Sequence, residues 1–144
     1  MSAPTRNEIV AAARGWIGTP YLHQASLRGV GCDCLGLVRG VWRETIGAEP
    51  EAAGPYSPDW AEASGVESLA LAGARHFAKA SIAAFEPGDV LLFRWRDNVP
   101  AKHLAVATSS DTMVHAHDGA CVCEVALSRW WRRRLAFAFS FPGA

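Results

Sequence analysis

The chain lacks an excess of charge of either sign: 14 lysines and arginines balance 14 aspartates and glutamates. That balance removes the electrostatic footprint expected of a nucleic-acid binder. No apolar run approaches the roughly 20 residues needed to cross a bilayer, and insertion into a membrane is not expected. The opening stretch "MSAPTRNEIVAAARGW" has no charged leader followed by an apolar segment, so no Sec signal is read there. The expectation is synthesis in the cytoplasm. Cysteine is also scarce. Four residues (Cys32, Cys34, Cys121 and Cys123) are too few for a disulfide scaffold, and reduced thiols are the default.

What is present suits one compact unit spanning residues 1–144, half of them hydrophobic. Thr5 with Glu8 forms a possible capping box ahead of Ile9, Val10, Ala13 and Trp16 at helical spacing. Residues 21–31 have no clean period and read as a loop. Asp33 reads as the N-cap of a second helix with Leu35, Val38 and Trp42 along one line. Gly36 and Gly40 are tolerable there if the helix presses closely on a sheet. Arg39 and Arg43 are assigned to its solvent side.

Residues 48–59, rich in proline, read as an irregular surface excursion. Ser64 and Glu67 suggest a capping box for a third helix through Leu69, Gly73 and Phe77. From Pro87 the period becomes two, with strands near 89–95, 102–108, 112–117, 120–126 and 135–141. Helices followed by an antiparallel meander predict an α+β fold.

Cys34 falls in the first turn of the second helix, where free amides and the helix dipole favour a thiolate. A thiol so placed is expected to have its pKa lowered from about 8.5 into the range of roughly 3.5–7.5. A thiolate nucleophile needs an imidazole partner. In "AKHLAVAT", His103 alternates away from Leu104 and Val106. A three-residue turn at Ser109 and Ser110 would pair Ala107 with Asp111 and His103 with His115. Directly opposed residues lie about 4.5–5.5 Å apart at Cβ, close enough for one ring to orient the other. A slip of two residues would bring His117 there instead.

These residues, with "GTPY" (18–21), "DCLGL" (33–37), "PGDVLLF" (87–93) and "MVHA" (113–116) in that order, resemble the NlpC family of papain-like peptidoglycan peptidases. The likeness is nearest to the short versions carried by phage and gene-transfer-agent tails. The resemblance implies a papain-like fold without cofactor or metal. It implies Cys34 as nucleophile, His103 as general base and acid, and His115 as third triad member. Tyr21 and the Cys34 amide would stabilise the oxyanion, and Asp33 would shape the site toward the substrate amine.

The implied substrate is the peptidoglycan stem peptide, and the implied partners are hub or fibre proteins of a tail that carries the enzyme to the wall. The chain departs from the family at Leu35, usually serine, at "LHQAS" (22–26) and at Ala105.

Among the remaining residues, His23 and His117 are expected to line the cleft. Cys32, Cys121, Cys123, Trp16, Trp42 and Trp95 read as packing residues, and "SRWWRRR" (128–134) as a solvated turn or docking surface. Two other functions stay open on the sequence: a degenerate structural tail subunit, and a binding domain with a metal held by the four cysteines and a nearby histidine.

Overall fold

The computed structural model describes residues 3–51 and 67–144. Helix α1, Arg6–Arg14, is capped as its sequence predicts, with the Thr5 side chain accepting from the Glu8 amide. It buries Ile9, Val10 and Ala13. Helix α2, Cys34–Thr45, starts behind Asp33 and buries Leu37, Val38, Val41 and Trp42. Helix α3 is Ser68–His76. Glu67, its N-cap residue, makes no side-chain cap bond. Glu67 instead accepts from the Ala101 amide at 2.9 Å and from Arg94 at 3.2 Å. Ser64, and residues 52–59 of the proline-rich excursion, lie outside the described residues.

The strands are β1 Ser26–Leu27, β2 Gly31–Cys32, β3 Ala78–Ala80, β4 Asp89–Phe93, β5 His103–Ala107, β6 Thr112–His115, β7 Cys123–Ala126 and β8 Leu135–Ser140. A one-turn helix, α4, covers Arg129–Arg132. Strands β3–β8 form an antiparallel sheet in the order β3-β8-β4-β5-β6-β7. The mixed helix-and-antiparallel-sheet architecture is the predicted α+β class. The loop expected over 21–31 contains a small ribbon, in which Ser26 pairs with Cys32 and Leu27 with Gly31.

Alternation along the strands sorts the core onto two faces. Leu104, Val106, Val90, Leu92 and Val114 join Leu37, Val41 and Trp16 under the helices. Ala105, Ala107, Leu91, Phe93 and Met113 face the other way, and Trp131 of α4 packs against them. His103 sits at the start of β5, at the edge of both clusters.

Two features of α2 correct the sequence reading. The glycines do not serve close contact with a sheet. A Cβ at Gly36 would collide with the Ala25 carbonyl, and one at Gly40 with the Trp16 ring. Arg39 and Arg43 do not simply point into solvent, because both pair with Glu49, at 2.6 and 3.1 Å.

Candidate active site

The site is assembled where α2 begins. Asp33 is 2 % exposed. Its Oδ1 accepts from the Gly36 amide at 2.7 Å, closing the helix N-terminus, while Oδ2 accepts from the Gln24 amide at 2.8 Å. One carboxylate thus fixes both the first turn and the 22–25 loop beside it. His23 Nδ1 lies 3.8 Å from Oδ2. The next residue, Cys34, stands in the first turn with its sulfur donating to the Lys102 carbonyl at 3.6 Å. Since Lys102 immediately precedes β5, that contact ties the helix start to the strand carrying His103.

His103 and His115 are both buried, at 4 % and 3 % exposure. The Nε2 of His103 lies 2.9 Å from the Nδ1 of His115. The β5–β6 register is not the one predicted. Val106 pairs with Val114 and Ala107 with Met113, so the turn is two residues longer than expected. The hydroxyls of Thr108, Ser109 and Thr112 knit that longer turn together. By this register His117 is the residue across from His103. The hydrogen bond is nevertheless made diagonally, to His115, which sits within reach of a long side chain. His117 is exposed and stacks on His115, with ring centroids 5.6 Å apart and planes 16° apart.

Assigning the shared proton to His103 Nε2 leaves its Nδ1 with a lone pair, which is the arrangement a general base requires.

The electrostatics reverse the expectation for the thiol. The Leu104, Leu35 and Cys34 amides favour a thiolate, but desolvation and the Asp33 carboxylate prevail and push Cys34 up to about 12. Burial also holds the His103 imidazole well below its ordinary value, helped by His115 and His117, and it holds His115 down at about 4. The resting pair is therefore a neutral thiol with a neutral imidazole. The cause is general: a buried charge without a close counter-charge is expensive.

Cys34 and His103 face a common cleft of about 240 Å³, whose lining also includes Tyr21, His23, Asp33, Leu35 and His117. Every predicted site residue except His115 reaches it directly, and His115 backs it through His103. Desolvation, above all, raises the Tyr21 phenol to about 12. Tyr21 is accordingly a neutral hydrogen-bond donor at physiological pH.

Sequence reasoning passed over several cleft residues: Trp95, Lys102, Leu104, Asp118 and, from α3, Leu69. Trp95 is not the core residue that the sequence predicts. It is only half-buried, and its ring lies 5.1 Å from that of His103. The tryptophan pair of "SRWWRRR" was the available signal for Trp131, which stacks on the same imidazole at 5.4 Å and 25°.

The other thiols are placed apart from this chemistry. Cys32 is fully buried, and burial pushes its thiol up to about 12. Cys121 and Cys123 do not pack in the core as expected. Val122 between them turns inward at 0 % exposure, leaving Cys121 exposed and Cys123 half-buried. Among the described residues, no group of three or more histidine, cysteine or acidic side chains converges as a metal site.

Comparison with known proteins fits this geometry. The profile of the NlpC/P60 family matches residues 18–139, from the Tyr21 loop through β8. The chain belongs to the NlpC/P60 family. Its fold is similar to that of an NlpC/P60 family protein from Bacillus cereus, with a TM-score of 0.69 at 18% identity, covering 94% of this chain and 40% of that one. The NlpC/p60 domain of the peptidoglycan hydrolase SagA gives 0.65 at 25% identity, covering 95% and 99%. A lipoprotein-like family member from Staphylococcus aureus gives 0.64 at 19% identity, covering 97% and 44%. The chain thus spans under half the length of the Bacillus and Staphylococcus proteins and nearly all of the SagA domain. Among curated proteins, none matches it.

Proposed function

We propose that this NlpC/P60 protein is a cysteine peptidase that hydrolyses peptide bonds in peptidoglycan stem peptides. The observation that carries the reading is the convergence, on one cleft, of a cysteine in the first turn of α2 and an imidazole held by a second imidazole at 2.9 Å. Family membership and the likeness to a peptidoglycan hydrolase domain supply the substrate class.

In the proposed reaction His103 Nδ1 takes the Cys34 proton as the sulfur attacks the scissile carbonyl carbon. Charge develops on the carbonyl oxygen, where the Tyr21 hydroxyl and the Cys34 amide donate hydrogen bonds. Collapse expels the amine, which leaves with the proton from His103, and a thioester remains on Cys34. Water, deprotonated by the same imidazole, then releases the acid. Because the resting pair is neutral, proton transfer accompanies attack instead of preceding it. His115 keeps the His103 ring in the tautomer and orientation that both half-reactions need.

The reading extends to biology through the sequence resemblance to tail-borne peptidases. The enzyme would ride on hub or fibre proteins of a phage-like particle and open the wall locally, in the periplasm or the wall itself. Incubation of purified sacculi with wild type and with Cys34→Ala tests the activity. Mass spectrometry should show cleaved stem peptides with new amino termini from the wild type alone. Fragments released equally by both proteins would exclude Cys34 as nucleophile.

A further inference from the structure

When His103 accepts the thiol proton it becomes a cation in a buried place. The histidines against it are His115 and His117, from the end of β6 and the residues after it, and the cleft it shares also holds the ionisable side chains of Tyr21, His23, Asp33, Cys34, Lys102 and Asp118. The side chain hydrogen-bonded to the ring is itself an imidazole, where a carboxylate would bring a counter-charge. A neutral third member orients the imidazole but supplies no counter-charge. Two arginines of the neighbouring segment are engaged elsewhere. Arg132 pairs with Asp111 at 2.9 Å, and Arg134 donates to the Trp95 and Trp130 carbonyls.

What does lie against the imidazole is aromatic carbon. Trp131 stacks on His103, with centroids 5.4 Å apart and planes 25° apart, and meets His115 edge to face at 5.2 Å and 86°. Its own position is fixed by Phe93 at 5.1 Å and by the cluster on that face of the sheet. A cation within about 6 Å of an indole face is attracted to it.

We propose that Trp131 is a positioning residue of this site: it braces the His103–His115 pair and stabilises the imidazolium formed on His103, a role for which many triads use an acidic side chain. The proposal rests on the cysteine-peptidase reading for its catalytic consequence. Trp95 also approaches His103, but it lines the cleft and would touch substrate. Trp131 does not line the cleft, so its effect is separable from binding.

The experiment compares Trp131→Leu and Trp131→Phe with wild type, both variants being screened for folding by thermal melting. Kinetics on a stem peptide and titration of the histidine ring protons by NMR are measured for each. Trp131→Leu should lower kcat by about 3- to 30-fold with KM unchanged, and Trp131→Phe should retain an intermediate rate. The His103 titration should move to lower pH in Trp131→Leu, because the imidazolium loses its aromatic support. A leucine variant with wild-type kcat and titration overturns the proposal. So does a titration that moves upward, since water entering a loosened site would stabilise the cation, and so does a phenylalanine variant as damaged as leucine. If the wild type cleaves no stem peptide, the hydrolase reading fails, while the NMR titration still decides whether Trp131 supports the charged ring.

Discussion

His103 and His115 share a hydrogen bond of 2.9 Å although they are not partners in the β5–β6 ladder. The bond needs only an acceptor at the His115 position. His115→Asn offers an amide oxygen there and should retain much of the activity, whereas His115→Ala leaves His103 Nε2–H unpaired and its ring free to turn. Steady-state kinetics should show the alanine variant losing about 100-fold or more in kcat and the asparagine variant losing clearly less. Equal losses would mean that orientation by hydrogen bonding is not what His115 provides.

The neutral resting pair has a signature in thiol chemistry. With Cys34 raised to about 12, its alkylation by iodoacetamide should be slow below pH 7 and should climb steadily through pH 9 without a plateau. The readout is mass spectrometry of the Cys34 peptide. A plateau with a midpoint below pH 7 would instead reveal a preformed thiolate–imidazolium pair.

Burial of two neutral imidazoles also makes stability depend on pH. The unfolded chain protonates His115 at about 6.5, whereas the folded chain resists until about 4. The unfolded state therefore binds more protons as the pH drops, and stability is lost on going down through this window. His115 alone should account for about 2–3 kcal/mol between pH 6.5 and 4.5, and His103 adds to it in the same direction. Denaturant unfolding across that range should show the decline, and His115→Asn should flatten it.

Asp33 joins two segments through one carboxylate, to the Gly36 and Gln24 amides. Asp33→Ala loses a helix cap and leaves two amides without their acceptor, at a cost of about 2–3 kcal/mol. Asp33→Asn retains one acceptor oxygen and should fall between alanine and wild type. Chemical denaturation measures both.

The helix starts were legible because caps are local. Thr5 and Asp33 each bond an amide three residues on, a relation written entirely in short-range sequence. Strand positions were legible from alternation, and so was the placing of His103 opposite Leu104 and Val106. Register was not, because the turn length depends on how Thr108, Ser109 and Thr112 bond one another. The thiol's ionisation was misjudged for a related reason: the helix amides are visible in sequence, but the desolvation that outweighs them comes from packing. Glu67 resembles a cap residue until Arg94 and Ala101, 27 and 34 residues away, claim its carboxylate. Trp95 looked like ordinary packing, and Trp131 like part of a solvated turn or docking surface, because nothing local says that a distant histidine will lie beside them.

Every step of the proposed reaction passes through a thioester on Cys34. Rapid quenching of the enzyme with a stem peptide, followed by peptide mapping, measures it directly. The predicted result is an acyl adduct on the peptide containing Cys34, located to that sulfur and not to Cys32, with neither adduct nor product in Cys34→Ala. Product formation by Cys34→Ala, or an adduct on a different side chain, would contradict it.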